Sequence, residues 1–186
     1  MYKRQDPHWP PRFEGIAASL RDALGALPVV AIEHVGSTSV PDLAAKPVID
    51  VDVVVTRDIV RAAVAAIASA GYEPLGEMGV PDRFAFRSPV GAPRQNIYVT
   101  VVGSLALRNH LGLRDTLRAC PDLRDEYGAV KLALAARTDD IDVYVDGKTD
   151  IVLRILQKVG LAQHELDELE GVNRMVGDSV AKARPR

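Results

Sequence analysis

An α/β or α+β fold is predicted by the order of apolar patterns along the chain: one amphipathic helix, a strand-rich half, then a helical half. Composition agrees. With 186 residues, 47% apolar and 26% charged, the chain has the make-up of one ordinary globular domain. The third observation is a pair of β-branched runs, 29–35 and 48–55, the second of which is apolar except for Asp50 and Asp52.

Each element follows from local pattern. Phe13, Ile16, Ala17, Leu20, Leu24 and Leu27 fall on one helical face, and Pro28 is expected to stop that helix. The strand 29–35 ends at the turn Gly36-Ser37-Thr38-Ser39, and a loop with Pro41 and Pro47 leads into the strand 48–55. Thr56 can cap a helix over about 57–70, with Val60, Val64 and Ile67 on one face and Gly71 at its end. Strands follow at 83–87 and 95–102, separated by a turn with Pro89, Gly91 and Pro93, and helical segments at 104–118, 122–137 and 149–160. Residues 1–160 are expected to form the domain and the polar residues 161–186 an extension, its last ten or so mobile.

Charge and motif content exclude several function classes. Twenty-three basic against 25 acidic side chains leave a net charge of −2, too little for a global field toward nucleic acid or anionic lipid. No run is long enough to span a bilayer, and the single cysteine, Cys120, cannot form an internal disulfide, so a cytoplasmic protein is expected. Phosphate-loop, dinucleotide-fingerprint and His-Glu-x-x-His patterns are missing, and the four histidines (8, 34, 110, 164) have no metal-ligand spacing.

The chemistry concentrates in Asp50-Val51-Asp52. Alternation along a strand projects both carboxylates from one face, about 7 Å apart. Two unpaired carboxylates in a core are costly, so they call for cations, donors or an open cleft; Mg²⁺ or Mn²⁺ would suit them as hard oxygen ligands. The alternative is an exposed strand end with Asp50 paired to Lys46. Fourteen residues upstream of Asp50, Gly36-Ser37 closes the preceding strand, where a residue without Cβ lets backbone approach a ligand and Ser37 and Ser39 add hydroxyl donors for phosphate.

These residues carry a resemblance. Ile32-Glu33-His34-Val35-Gly36-Ser37-Thr38-Ser39-Val40-Pro41, followed by Leu43-Ala44-Ala45-Lys46-Pro47-Val48-Ile49-Asp50-Val51-Asp52, resembles the signature of the GrpB-like family, and the likeness runs from Asp6-Pro7 to Thr149. That family is similar to the nucleotidyltransferase superfamily, the fold of polymerase beta and the aminoglycoside nucleotidyltransferases. The resemblance implies a nucleotidyltransferase-like mixed sheet with flanking helices and a C-terminal helical bundle. It implies Gly36, Ser37, Ser39 and Lys46 on the nucleotide, and Asp50 and Asp52 as catalytic ligands of Mg²⁺. An NTP would then pass its nucleotidyl group to a small-molecule or protein acceptor. Related domains occur fused to dephospho-CoA kinase, which implies the alternative of a non-catalytic folding-accessory or interaction module.

One part of the superfamily pattern is missing. A third carboxylate is expected on a later strand, and 95–102 contains none; Asn96 and Tyr98 stand where some relatives carry histidines. Glu77 or Asp82 in the neighbouring loop could substitute. On the helical half, Arg114 falls on the row of Leu107 and Leu111, and Lys131 about 40° from the stripe of Leu123, Tyr127, Val130 and Leu134. In the family pattern these positions, with Lys148, are basic and would bind substrate anions. For Arg114 an internal ion pair with Asp50 or Glu33 is the alternative. His34 is expected to pack behind the turn, and Trp9, Phe13 and Tyr127 in the core.

Overall fold

The computed structural model describes residues 6–138 and 140–182, with backbone alone at 141–142 and 173–182. The chain divides into two units, Met1–Arg114 and Asp115–Arg186. The first is built on a five-stranded mixed sheet. Its strands are β1 (Ala31–Val35), β2 (Ile49–Val55), β3 (Glu73–Gly76), β4 (Arg83–Arg87) and β5 (Gln95–Val101), in spatial order β1-β2-β5-β4-β3. β2 and β5 run parallel, and the other pairings are antiparallel.

Period-two alternation sorts the central strands. Ile49, Val51, Val53 and Val55 of β2, with Ile97 and Val99 of β5, enter a core completed by Trp9, Ile16, Leu20 and Leu24 of α1 (Trp9–Leu24) and by Ala63 and Ile67 of α2 (Val60–Ser69). The opposite face carries Asp50, Asp52, Asn96, Tyr98 and Thr100, with Val54 beside Thr100. Helix α1 starts earlier than its apolar stripe because Pro10 and Pro11 suit the first turn. It also ends earlier than Pro28, at Gly25, whose N–H bonds the Arg21 carbonyl. Thr56 does not cap α2; its carbonyl takes the Ile59 N–H in a preceding turn.

The second unit holds the end of α3 (Leu105–Ala119) with α4 (Pro121–Arg137), α5 (Ile141–Lys158) and α6 (Gln163–Lys182). Helix α5 begins eight residues before the expected 149–160 segment. Pro121 occupies the first turn of α4, after Cys120, which is exposed and makes no capping hydrogen bond. Gly147 admits Leu134 so closely that a Cβ there would lie 2.5 Å from its Cδ2, which seats α5 against α4. The polar stretch expected as an extension is largely helix α6, which lays Leu166 and Leu169 against α5. Residues 183–186, the end of the expected tail, lie outside the described residues. No helix among the described residues is long and apolar enough to cross a membrane.

Candidate functional site

The turn after β1 and the front face of β2 form one structure. Gly36 has φ 68°, a conformation that L side chains rarely adopt, and a Cβ on it would stand 2.1 Å from Asp50 Oδ2. The space that the sequence reading kept for a ligand is thus partly taken by Asp50 itself. Three hydrogen bonds fix the turn: Ser39 Oγ to the Gly36 carbonyl (2.6 Å), Thr38 Oγ1 to the Val48 carbonyl (3.1 Å), and His34 Nε2 with Thr38 Oγ1 (3.0 Å). Ser39 is buried and closes the turn, and Ser37 is half-buried. Lys46 stands exposed in the segment leading into β2.

His34 packs behind the turn, stacked on Phe13 with ring centroids 4.7 Å apart. The Thr38 hydroxyl spends its only proton on the Val48 carbonyl, so His34 donates through Nε2–H.

The two aspartates share a face but have different surroundings. Asp50 is partly buried and accepts a 2.6 Å hydrogen bond from Asn96 Nδ2, its register partner on β5. Asp52 is fully buried, 0% exposed, and both of its oxygens are engaged: Oδ1 by Thr100 Oγ1 (3.1 Å) and Oδ2 by His110 Nδ1 (2.8 Å). The sequence reading grouped them as one metal-binding pair. Asp52 meets a hydroxyl and an imidazole, and Asp50 meets the Asn96 amide. Among the described residues no group of three or more His, Cys, Asp or Glu side chains is placed to hold a metal.

Glu33 lies opposite Asp52 in the β1–β2 register, adding a third acid to the face. Arg114 offsets it, with Nη1 2.6 Å from Glu33 Oε2 and 3.1 Å from the His34 carbonyl oxygen. Of the ion pairs expected for Arg114, the one with Glu33 is formed. Tyr98, register partner of Asp52, lies 5.8 Å from the His110 ring and 4.8 Å from the Arg83 guanidinium. Burial, reinforced by Asp50, pushes its phenol up to about 12, against the opposing pull of Arg83. Asp82 pairs with Arg57, from the turn before α2, at 2.6 Å, and Glu77 accepts the Asp82 N–H within the loop. Lys131 and Lys148 belong to the second unit, each with its ammonium over the tyrosine one turn earlier, Tyr127 and Tyr144. The opposite face of the sheet has a cavity of about 400 Å³ lined by Arg57, Val60, Arg61, Val64, Phe84 and Val101, none of them an expected site residue.

Sequence reading missed His110 and Thr100. A signal for His110 existed, since it precedes Arg114 by four positions and shares its helical row.

Comparison with known proteins agrees with the motif on the turn and β2. A family model described as "GrpB protein" matches residues 3–158. The chain belongs to the GrpB family. The UPF0157 protein SCO7215 of Streptomyces coelicolor is 36% identical over 85% of this GrpB chain and 83% of its own. The longer UPF0157 protein YqkA of Bacillus subtilis is 36% identical over 66% of this chain, which spans 36% of YqkA. A dephospho-CoA kinase of Mycolicibacterium paratuberculosis is 32% identical over 75% of this chain and 41% of its own length. The crystal structure of the conserved protein GrpB from Enterococcus faecalis superposes with a TM-score of 0.73 at 31% identity, covering 87% of this chain and all of that one.

Proposed function

We propose that this GrpB protein binds a nucleoside triphosphate at the Gly36–Ser39 turn and transfers its nucleotidyl group to an acceptor hydroxyl with release of pyrophosphate. The observation that carries the reading is the contact of Gly36 with Asp50. It joins a phosphate-type turn and a cation-type carboxylate in one place, which an ordinary tight turn does not require. Ser37 contributes a hydroxyl to the phosphates, and Lys46 extends the positive side of the site. Asp50 would hold one Mg²⁺ carried in by the nucleotide, and that ion would neutralise phosphate charge and steady the leaving pyrophosphate. Asp52 belongs to the scaffold of the site and to His110.

A thermal-shift and calorimetric series with each NTP, with and without Mg²⁺, tests this reading. Stabilisation by an NTP that depends on Mg²⁺ and is lost in Asp50→Asn is expected. Equal stabilisation of wild type and Asp50→Asn would place binding elsewhere.

A second reading is favoured by one comparison, the dephospho-CoA kinase that contains a GrpB-like segment. On that reading the domain is a folding-accessory or interaction module. No stabilisation by any NTP, together with co-purification with such a kinase, would support it.

A further inference from the structure

The cavity behind the sheet lies wholly within the first unit and joins apolar walls to a basic rim. Its floor is Phe84 of β4 and Val101 of β5, rear-face residues of adjacent antiparallel strands. Val60 and Val64, one turn apart on α2, form the wall. The charged groups of the lining are both arginines, Arg57 in the turn before α2 and Arg61 in its first turn, and both are exposed. The fold leaves this space open. Helix α2 commits Ala63 and Ile67 fully to the core, whereas Val60, Val64 and Phe84 stay half-buried and turn apolar surface toward an unfilled volume of about 400 Å³. That size falls within the range of about 300–1,000 Å³ found for small-molecule sites.

The two arginines differ in what they already hold. Arg57 is tied to Asp82 at 2.6 Å, and Glu77 adds to the acidic field on its guanidinium. The Arg61 side chain makes no ion pair or hydrogen bond among the described residues. A ligand that fills the cavity therefore meets hydrocarbon along its body and an unpaired guanidinium at its end. A carboxylate matches that planar fork in charge and geometry, and burial of an apolar body supplies the remaining affinity. We propose that this cavity binds a small organic acid, its carboxylate on Arg61 and its apolar body between α2 and β4. The site does not rest on the nucleotidyl-transfer reading. It opens on the opposite face of the sheet from Asp50, with β5 presenting Val101 to the cavity and Asn96, Tyr98 and Thr100 to the other side.

Octanoate, titrated into the full chain by calorimetry and by methyl and aromatic NMR, tests the proposal. Acetate removes the apolar body and octylammonium reverses the charge of the head. Octanoate should bind with chemical-shift changes centred on Val60, Val64, Phe84 and Val101, and both controls should bind about tenfold more weakly or worse. Arg61→Glu alters an exposed position and leaves the core untouched; it should lower octanoate affinity by about tenfold or more and raise that of octylammonium. Val64→Phe fills the cavity from its wall and should abolish octanoate binding; where that variant fails to fold, Arg61→Glu carries the test. Equal binding of octanoate and octylammonium overturns the proposal, as does octanoate affinity unchanged in Arg61→Glu. Shifts confined to other residues, or no octanoate binding at millimolar concentration, overturn it too.

Discussion

Gly36 and Asp50 share one volume: the hydrogen of Gly36 that a side chain would replace faces a carboxylate whose Oδ2 would be 2.1 Å from the new carbon. With φ at 68°, Gly36→Ala meets two penalties, the left-handed backbone and the collision. Together they should cost about 2–4 kcal/mol in chemical denaturation. Asp50→Ala removes the two closest atoms and leaves only Cβ, at 2.9 Å. The double variant should therefore be more stable than the sum of the single effects by about 1 kcal/mol or more. Strict additivity would show that the turn does not rest on Asp50.

Asp50 and Asp52 should respond in opposite directions to the same substitution. Asp50→Asn lowers the density of negative charge at the edge of the site and should leave the melting temperature equal or higher. Asp52→Asn turns an amide toward Thr100 and the His110 N–H in a buried position, where one donor then faces another. A loss of about 1–3 kcal/mol is expected. Equal effects at the two positions would mean that they form one electrostatic unit after all.

The Arg114–Glu33 pair is substantially buried on the arginine side, with exposures of 12% and 32%. Arg114→Ala strands Glu33 beside Asp52 and should cost more than the Arg114→Ala/Glu33→Ala double variant. Arg114→Lys should not restore stability, because a lysine cannot hold the Glu33 carboxylate and the His34 carbonyl in a fixed fork. Denaturant midpoints of the four proteins check the order.

Tyr98 links the site to alkaline stability. Its ordinary value of 10.0 is raised in the folded protein to about 12 by burial. Below the unfolded value both states hold the proton and the contribution is constant. As pH rises from about 10 to about 12, the unfolded chain releases its proton first, so stability falls by up to about 3 kcal/mol. Tyr98→Phe should flatten that decline. Of the five tyrosines, Tyr98 should be among the last to give a phenolate absorbance in a native-state titration.

What the sequence disclosed followed from what local pattern can encode. β2 and β5 were legible because apolar rear positions (Ile49, Val51, Val53, Val55, Ile97, Val99, Val101) alternate with mostly polar front ones, and the turn at Gly36 because a β-branched run stops there. β3 was not. Glu73-Pro74-Leu75-Gly76 has the composition of a loop, and it forms a strand only as an edge, paired to β4 alone with a register shift between Pro74 and Gly76. The site was half legible. Asp50 and Asp52 stand out within an apolar run, but their different roles depend on His110, 58 positions from Asp52, and on Glu33, which enters only through the β1 register. The pairing of Arg114 with Glu33, 81 positions apart, is likewise a matter of packing.

Helix α6 gives the last prediction. Its apolar residues are sparse, so the stretch after Gly160 reads as a polar extension, yet Leu161, Leu166 and Leu169 are each about 5% exposed or less and pack with α5, where Ile155 and Leu156 are fully buried. A chain ended after Gly160 would expose that face of α5. Burying a leucine is worth about 2 kcal/mol, so the loss of three exceeds what a small helical unit can spare. The shortened protein should lose helical circular dichroism beyond the share of the deleted residues and should associate in size-exclusion chromatography. Leu166→Ala and Leu169→Ala, at about 2–5 kcal/mol each, should lower the unfolding transition of the second unit in the intact chain. A shortened chain that stays monomeric and unfolds at the wild-type temperature would return α6 to the status of an appendage.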